Sequence, residues 1–122
     1  MGSFTKAFII VLGNALALWL ANTYVPGFVL HASLLQLGIL AAALALLNAV
    51  LKPILTLILG PIIVITLGLG VIIVNAIILF LLPIIASHVD FLNGSIMIQN
   101  VPALILATLI FSVINFLIHI LF

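Results

Sequence analysis

Four long apolar runs, divided by short clusters of proline, glycine and polar residues, make up nearly all of this chain. The first extends from about Phe4 to Val25 and stops at Pro26-Gly27, a pair that favours a turn. The second covers about Leu34 to Leu51 and ends at Lys52-Pro53, and the third runs from about Pro61 to Ala86. After a polar stretch from Ser87 to Asn100, the fourth runs from about Pro102 to Phe122, with Pro102 well placed for a first helical turn. A helix needs about 20 apolar residues to cross the hydrocarbon of a bilayer, so the chain has room for four crossings. In lipid these runs must be helices, because an isolated strand would leave its peptide groups unpaired. The pattern predicts one transmembrane domain over 1–122, with helices at about 4–25, 34–51, 61–86 and 102–122.

Lys52 to Thr66 is the irregular piece. It is apolar but carries Pro53, Gly60 and Pro61, which argue against one uninterrupted spanning helix. Two readings stand side by side: a short helix lying at the interface, or a re-entrant half-helix buried among the others. Either returns the chain to the face it left.

Composition decides the solvent. Hydrophobic residues make up 69% of the chain, charged residues 2%, and the mean hydropathy is +1.78. Lys6, Lys52 and Asp90 are the only charged side chains, too few to cover a water-soluble protein of 122 residues. The partner implied is therefore the lipid bilayer. A net charge of +1 offers nothing to nucleic acid, and the lack of cysteine excludes disulfides and thiolate metal sites. Lys6 followed by an apolar run resembles a signal peptide, but no small-residue cleavage site follows Ala21, so the run reads as a retained first helix. Lys6 also stands where a myristoylation signal wants Ser or Thr.

Lysine placement predicts orientation, because Lys and Arg gather in cytoplasmic segments. Lys6 precedes the first helix and Lys52 follows the second, so one cytoplasmic face holds both, together with both termini. His31, His88 and Asp90 then fall in outer loops. Lys6 and Lys52 are expected to act as interface anchors, Lys52 by extending to the interface, and Trp19 and Tyr24 to mark the outer boundary of the first helix.

The two halves also match. Asn14-Ala15-Leu16 and Leu47-Asn48-Ala49 in the first correspond to Asn75-Ala76-Ile77 and Ile114-Asn115-Phe116 in the second. Lys52 and His119 each stand four residues beyond the later asparagine. This predicts a duplicated helical hairpin, both copies oriented alike, with an insertion in the second loop. The expected fold is an all-α membrane protein of four transmembrane helices from that duplication, with the interfacial or re-entrant piece between the halves.

Four of the chain's seven asparagines, Asn14, Asn48, Asn75 and Asn115, are the most specific polar signal. Each sits inside an apolar run, on a face shared with small residues: Asn14 with Ala17 and Ala21, Asn48 with Ala45 and Ala41, Asn115 with Ser112 and Thr108, and Asn75 with Gly68. Small residues let helices approach, and an amide in lipid seeks a partner on a neighbouring helix. Asn14, Asn48, Asn75 and Asn115 are thus candidates either for helix packing or for lining a polar path. No carboxylate shares their depth, so proton relay and metal binding there are not expected. His88 and Asp90 are the only potential metal ligands close in sequence, fewer than a site needs, and the three histidines read as solvated loop or end residues. No catalytic arrangement and no cofactor site can be assembled. Gly68-Leu69-Gly70 leads into apolar helix and is no nucleotide loop.

One long ordered set of motifs remains: Leu46-Leu47-Asn48-Ala49-Val50-Leu51-Lys52-Pro53-Ile54-Leu55, then Gly60-Pro61-Ile62-Ile63, then Thr66-Leu67-Gly68-Leu69, then Val74-Asn75-Ala76. In this order they resemble the phage holin family of superfamily IV, small bacterial membrane proteins of about four helices. Asn14-Ala15 and the turn Val25-Pro26-Gly27-Phe28 suit the same family, so the resemblance covers about residues 8 to 120. The departures are the long second outer loop, Ser87 to Asn100, and the scarcity of other charges. The resemblance implies a holin-like protein of the bacterial inner membrane that oligomerises and permeabilises it. A structural or accessory subunit of a larger membrane complex, or of an envelope-stress system, fits an apolar exterior equally well. A small transporter fits less well, because coupled transport usually leaves intramembrane charges.

Overall fold

In a computed structural model that describes residues 2–66 and 70–121, the first apolar run forms α1 (Ser3–Tyr24). α2 (Leu34–Ile58) opens on a reciprocal cap in which Ser33 Oγ accepts the Gln36 backbone N–H at 3.2 Å and Gln36 Oε1 accepts that of Ser33 at 2.8 Å. Two of the N–H groups that a helix start leaves without partners are satisfied in this way.

The connecting segment departs from its expected form. α2 does not end at Leu51; it continues through Lys52 and Pro53 to Ile58, and a separate six-residue helix, α3 (Gly60–Ile65), follows. Residues 52–66 are therefore shared between two elements. The proline removes one helical hydrogen bond, whereas ending the helix there would release several peptide groups at once. The third run is likewise not one helix over 61–86, because α3 closes at Thr66 and α4 (Gly70–Ser87) begins beyond it. The Thr66 hydroxyl donates to Ile62 O at 2.8 Å and accepts the Gly70 N–H at 2.9 Å, capping one helix end and the next helix start. A Cβ on Gly70 would lie 2.9 Å from Ile63 Cα, so this close passage of α3 and α4 requires glycine. Gly68 and most of the Thr66–Leu69 motif lie outside the described residues.

α5 (Val101–Leu121) is capped by Asn100, whose Oδ1 accepts the Ala103 N–H at 2.8 Å. The four long helices form a ring in which α1 and α4 each pack against both α2 and α5. Their shared interior holds Ala17, Leu18 and Ala21 of α1, Leu40, Ala41 and Leu44 of α2, Val74, Ile78, Leu79 and Leu82 of α4, and Ala103, Ala107 and Phe111 of α5. α1, α2 and α5 are long and apolar enough to cross a membrane, and α4 is a shorter apolar helix. The chain is a mostly helical membrane protein.

Two short strands, β1 (Phe28–Leu30) and β2 (Ile96–Ile98), were not expected from the apolar pattern. They pair antiparallel with Phe28 opposite Ile98 and Leu30 opposite Ile96. His31 N–H to Ser95 O and Gln99 N–H to Gly27 O, each 2.8 Å, extend the pairing at both ends. The ribbon ties the α1–α2 connection to the α4–α5 connection at one end of the bundle, and Phe28 and Ile96 bury their side chains there. Gln36 adds a second tie, its Nε2 donating to Phe91 O at 2.7 Å.

Gly27 turns the chain from α1 into this ribbon with φ +90°, and a Cβ there would meet Asn100 Nδ2 at 2.7 Å. Backbone strain of this kind costs on the order of 1–3 kcal/mol for a residue other than glycine. Gly27→Ala is expected to lower the thermal midpoint in detergent by several degrees. Gly38→Ala, where the added methyl meets nothing within 4 Å, is expected to leave it unchanged or slightly raised. Equal midpoints for the two variants would contradict the role given to this turn.

Candidate functional site

At the end of the bundle away from the ribbon, the four helices part around an open cleft of about 540 Å³. Helix periodicity explains its composition. On α5, Ser112, Asn115 and His119 follow one another at spacings of three and four residues and so share a face. Asn48 and Lys52 do the same on α2, Lys6 and Ile10 on α1, and Ile72 and Asn75 on α4. At a rise of about 1.5 Å per residue, Ser112 lies roughly 10 Å along the helix axis from His119.

The cleft is consequently layered. Lys6, Lys52 and His119 stand toward the helix ends, and the amides of Asn48, Asn75 and Asn115 lie one turn further in, beside the Ser112 hydroxyl. Beneath them is a void of about 10 Å³ lined by the same three asparagines with Leu44, Ile78, Leu79 and Phe111. Those four apolar side chains are buried and close the floor. A void of this size holds about one water molecule.

Two hydrogen bonds fix the amides between helices. Asn75 Nδ2 donates to Ser112 Oγ at 3.1 Å, joining α4 to α5. Asn14 Nδ2 donates to Ala41 O at 3.3 Å, joining α1 to α2. Asn14 is fully buried, away from the cleft, on a face with Ala17 and Ala21. The Oδ1 atoms of both residues are buried with no hydrogen-bond partner among the described residues. Of the four asparagines, three therefore meet at the cleft while Asn14 does not. Thr108, on the Asn115 face, bonds back to Leu104 O at 2.7 Å within α5.

The residues expected from sequence to be interface anchors divide by end. Lys6 and Lys52 are both at the cleft, whereas Trp19 and Tyr24 are exposed on α1 toward the ribbon. His31, His88 and Asp90 are exposed in the connections at that same ribbon end. Among the described residues no three His, Cys, Asp or Glu side chains gather closely enough to hold a metal. His119 reads from sequence as a solvated end residue, but it lines the cleft. The available signal was its four-residue spacing from Asn115, matching that of Lys52 from Asn48. Ile10, Ile72, Phe116 and Ile118 also line it, and nothing distinguishes them in sequence from any other apolar position.

Chemically, this arrangement offers cations, amide donors and one hydroxyl. Ser112 is too far along the helix from His119 for the direct hydrogen bond that activates a nucleophile, and its partner Asn75 has no base to lend. The site is suited to binding. A double-mutant cycle over Asn75→Leu and Ser112→Ala is expected to give a coupling of about 0.5–1.5 kcal/mol in detergent unfolding; additive effects would contradict the interhelical bond.

Residues 5–117 match the family model described as mycobacterial 4 TMS phage holin, superfamily IV. No curated protein and no solved structure matches the chain. With nearly the whole chain covered by that family pattern, and with apolar helices of spanning length arranged around it, the chain belongs to the 4 TMS phage holin family of superfamily IV.

Proposed function

We propose that this chain is a holin-like protein of the bacterial inner membrane that assembles with copies of itself and permeabilises the bilayer between them. The observation that carries this reading is the family pattern over residues 5–117 on a bundle whose polar cleft ends at an apolar floor. Among the described residues, Leu44, Ile78, Leu79 and Phe111 close the cleft with apolar side chains, so in this reading a conducting path draws on the surfaces of several copies. Exposed apolar side chains on the long helices, such as Leu16, Leu46, Phe80 and Leu109, give those surfaces no need of water. The amides and amines of the cleft suit a binding role.

Both termini are assigned to the cytoplasm. Support comes from Lys6 and Lys52 sharing one end of the bundle, with no Lys or Arg at the other. Duplication of a helical hairpin is supported by two parallel features. In each half the first helix donates an asparagine hydrogen bond to the second, and each half contributes one strand to the ribbon. α3, with Val64 and Ile65 exposed, is assigned to the cytoplasmic interface between the halves.

The test is dye release from liposomes at graded protein density. Leakage that rises steeply with density in the wild type, and is lost in the Asn48→Leu, Asn75→Leu double variant, is the expected result. Tight vesicles at every density, with a stoichiometric partner co-purifying from native membranes, would overturn this reading in favour of an accessory subunit.

A further inference from the structure

The cleft concentrates the chain's positive charge without compensation. Lys6 and Lys52 are its only Lys or Arg residues and both line this one cavity, while its only acidic residue, Asp90, lies in a connection at the opposite end. Two ammonium groups lining one cleft with no carboxylate give it a positive potential, which an anion bound there would offset. Asn48, Asn115 and Ser112 line the cleft one to two turns further in, and their amides and hydroxyl can donate to an anion without adding a counter-charge. The cleft volume of about 540 Å³ is that of a small-molecule site.

Asn48 and Lys52 also border an open groove with Ala49, Pro53, Thr56, Leu57 and Gly60, on the helix-end side of the cleft. Basic pockets between membrane helices at the cytoplasmic side hold anionic headgroups.

We propose that the cleft binds the phosphate of an anionic phospholipid, with Lys6 and Lys52 flanking the phosphate and Asn48 and Asn115 on its inner side. Binding is read without any leakage measurement, so this site and the permeabilising role can fail independently.

The test uses the full chain purified in a neutral detergent and titrated with short-chain phosphatidylglycerol, phosphatidylcholine of the same chain length, glycerophosphoglycerol and inorganic phosphate. Thermal midpoint and native mass spectrometry are the readouts. Phosphatidylglycerol is expected to raise the midpoint in a saturable manner and to appear as a one-to-one adduct, with phosphatidylcholine much weaker and both soluble phosphates without effect. Loss of one charged partner to the phosphate lowers affinity about tenfold or more. Lys52→Gln and Lys6→Gln should each show that loss, Lys52→Arg should retain most of the binding, and His88→Gln at the far end should match the wild type. Equal shifts with phosphatidylcholine, or undiminished binding in both glutamine variants, would overturn the proposal. Inorganic phosphate reproducing the full shift would overturn the lipid as its source and assign the cleft to a soluble anion.

Discussion

Hydrocarbon offers no hydrogen-bonding partner, so every peptide group that enters it has to be satisfied by another group of the same chain. With three charged side chains in 122 residues, almost all of this protein is subject to that constraint. α2 runs on through Pro53 because losing one helical bond is cheaper than ending the helix in an apolar medium. The same demand appears where helices do stop. Ser33 and Gln36 cap α2, Thr66 bridges α3 to α4, and Asn100 caps α5. Between the α1–α2 and α4–α5 connections, the peptide groups of Phe28–Leu30 and Ile96–Ile98 satisfy each other.

The constraint also orders the polar side chains. An amide within the bundle is tolerated only with a partner or with access to an open cleft, and the asparagines divide along that line. Asn14 reaches the Ala41 carbonyl, Asn75 reaches Ser112, and Asn48 and Asn115 line the cleft. Toward the helix ends the lining passes from amide to ammonium, and toward the core it passes to Leu44, Ile78, Leu79 and Phe111. The result is a pocket with one polar mouth and a closed floor. In the proposed reading such a unit binds at its cationic end, and an aqueous path is built from several copies.

Much of this was legible from residue order alone, and for definite reasons. Apolar runs of spanning length and the scarcity of charge specify membrane helices before any packing is known. The four-residue spacing of Asn48 with Lys52, and of Asn115 with His119, already placed each pair on one helix face. Which faces meet was not legible, because that depends on the ring order of the helices; hence Asn14 falls outside the cleft its three counterparts share. Helix ends misled where proline was read as a stop at Lys52-Pro53, although the medium favours continuing. The ribbon was missed because its strands carry no alternation of apolar and polar positions long enough to signal them. Their pairing joins loops almost seventy residues apart, as Phe28 opposite Ile98 shows.

The central claim is that lipid, and not water, covers the exposed apolar surface of the four-helix ring. Because the chain has no cysteine, single cysteines can be introduced cleanly and probed with a membrane-impermeant maleimide on vesicles of each orientation. Thr5→Cys and Thr56→Cys should label from one face, and His31→Cys and Asn93→Cys from the other. Leu46→Cys, on a side chain 66% exposed on the isolated molecule, should label from neither. Ready labelling at position 46 in intact vesicles, or all four end positions reacting from a single face, would contradict this account.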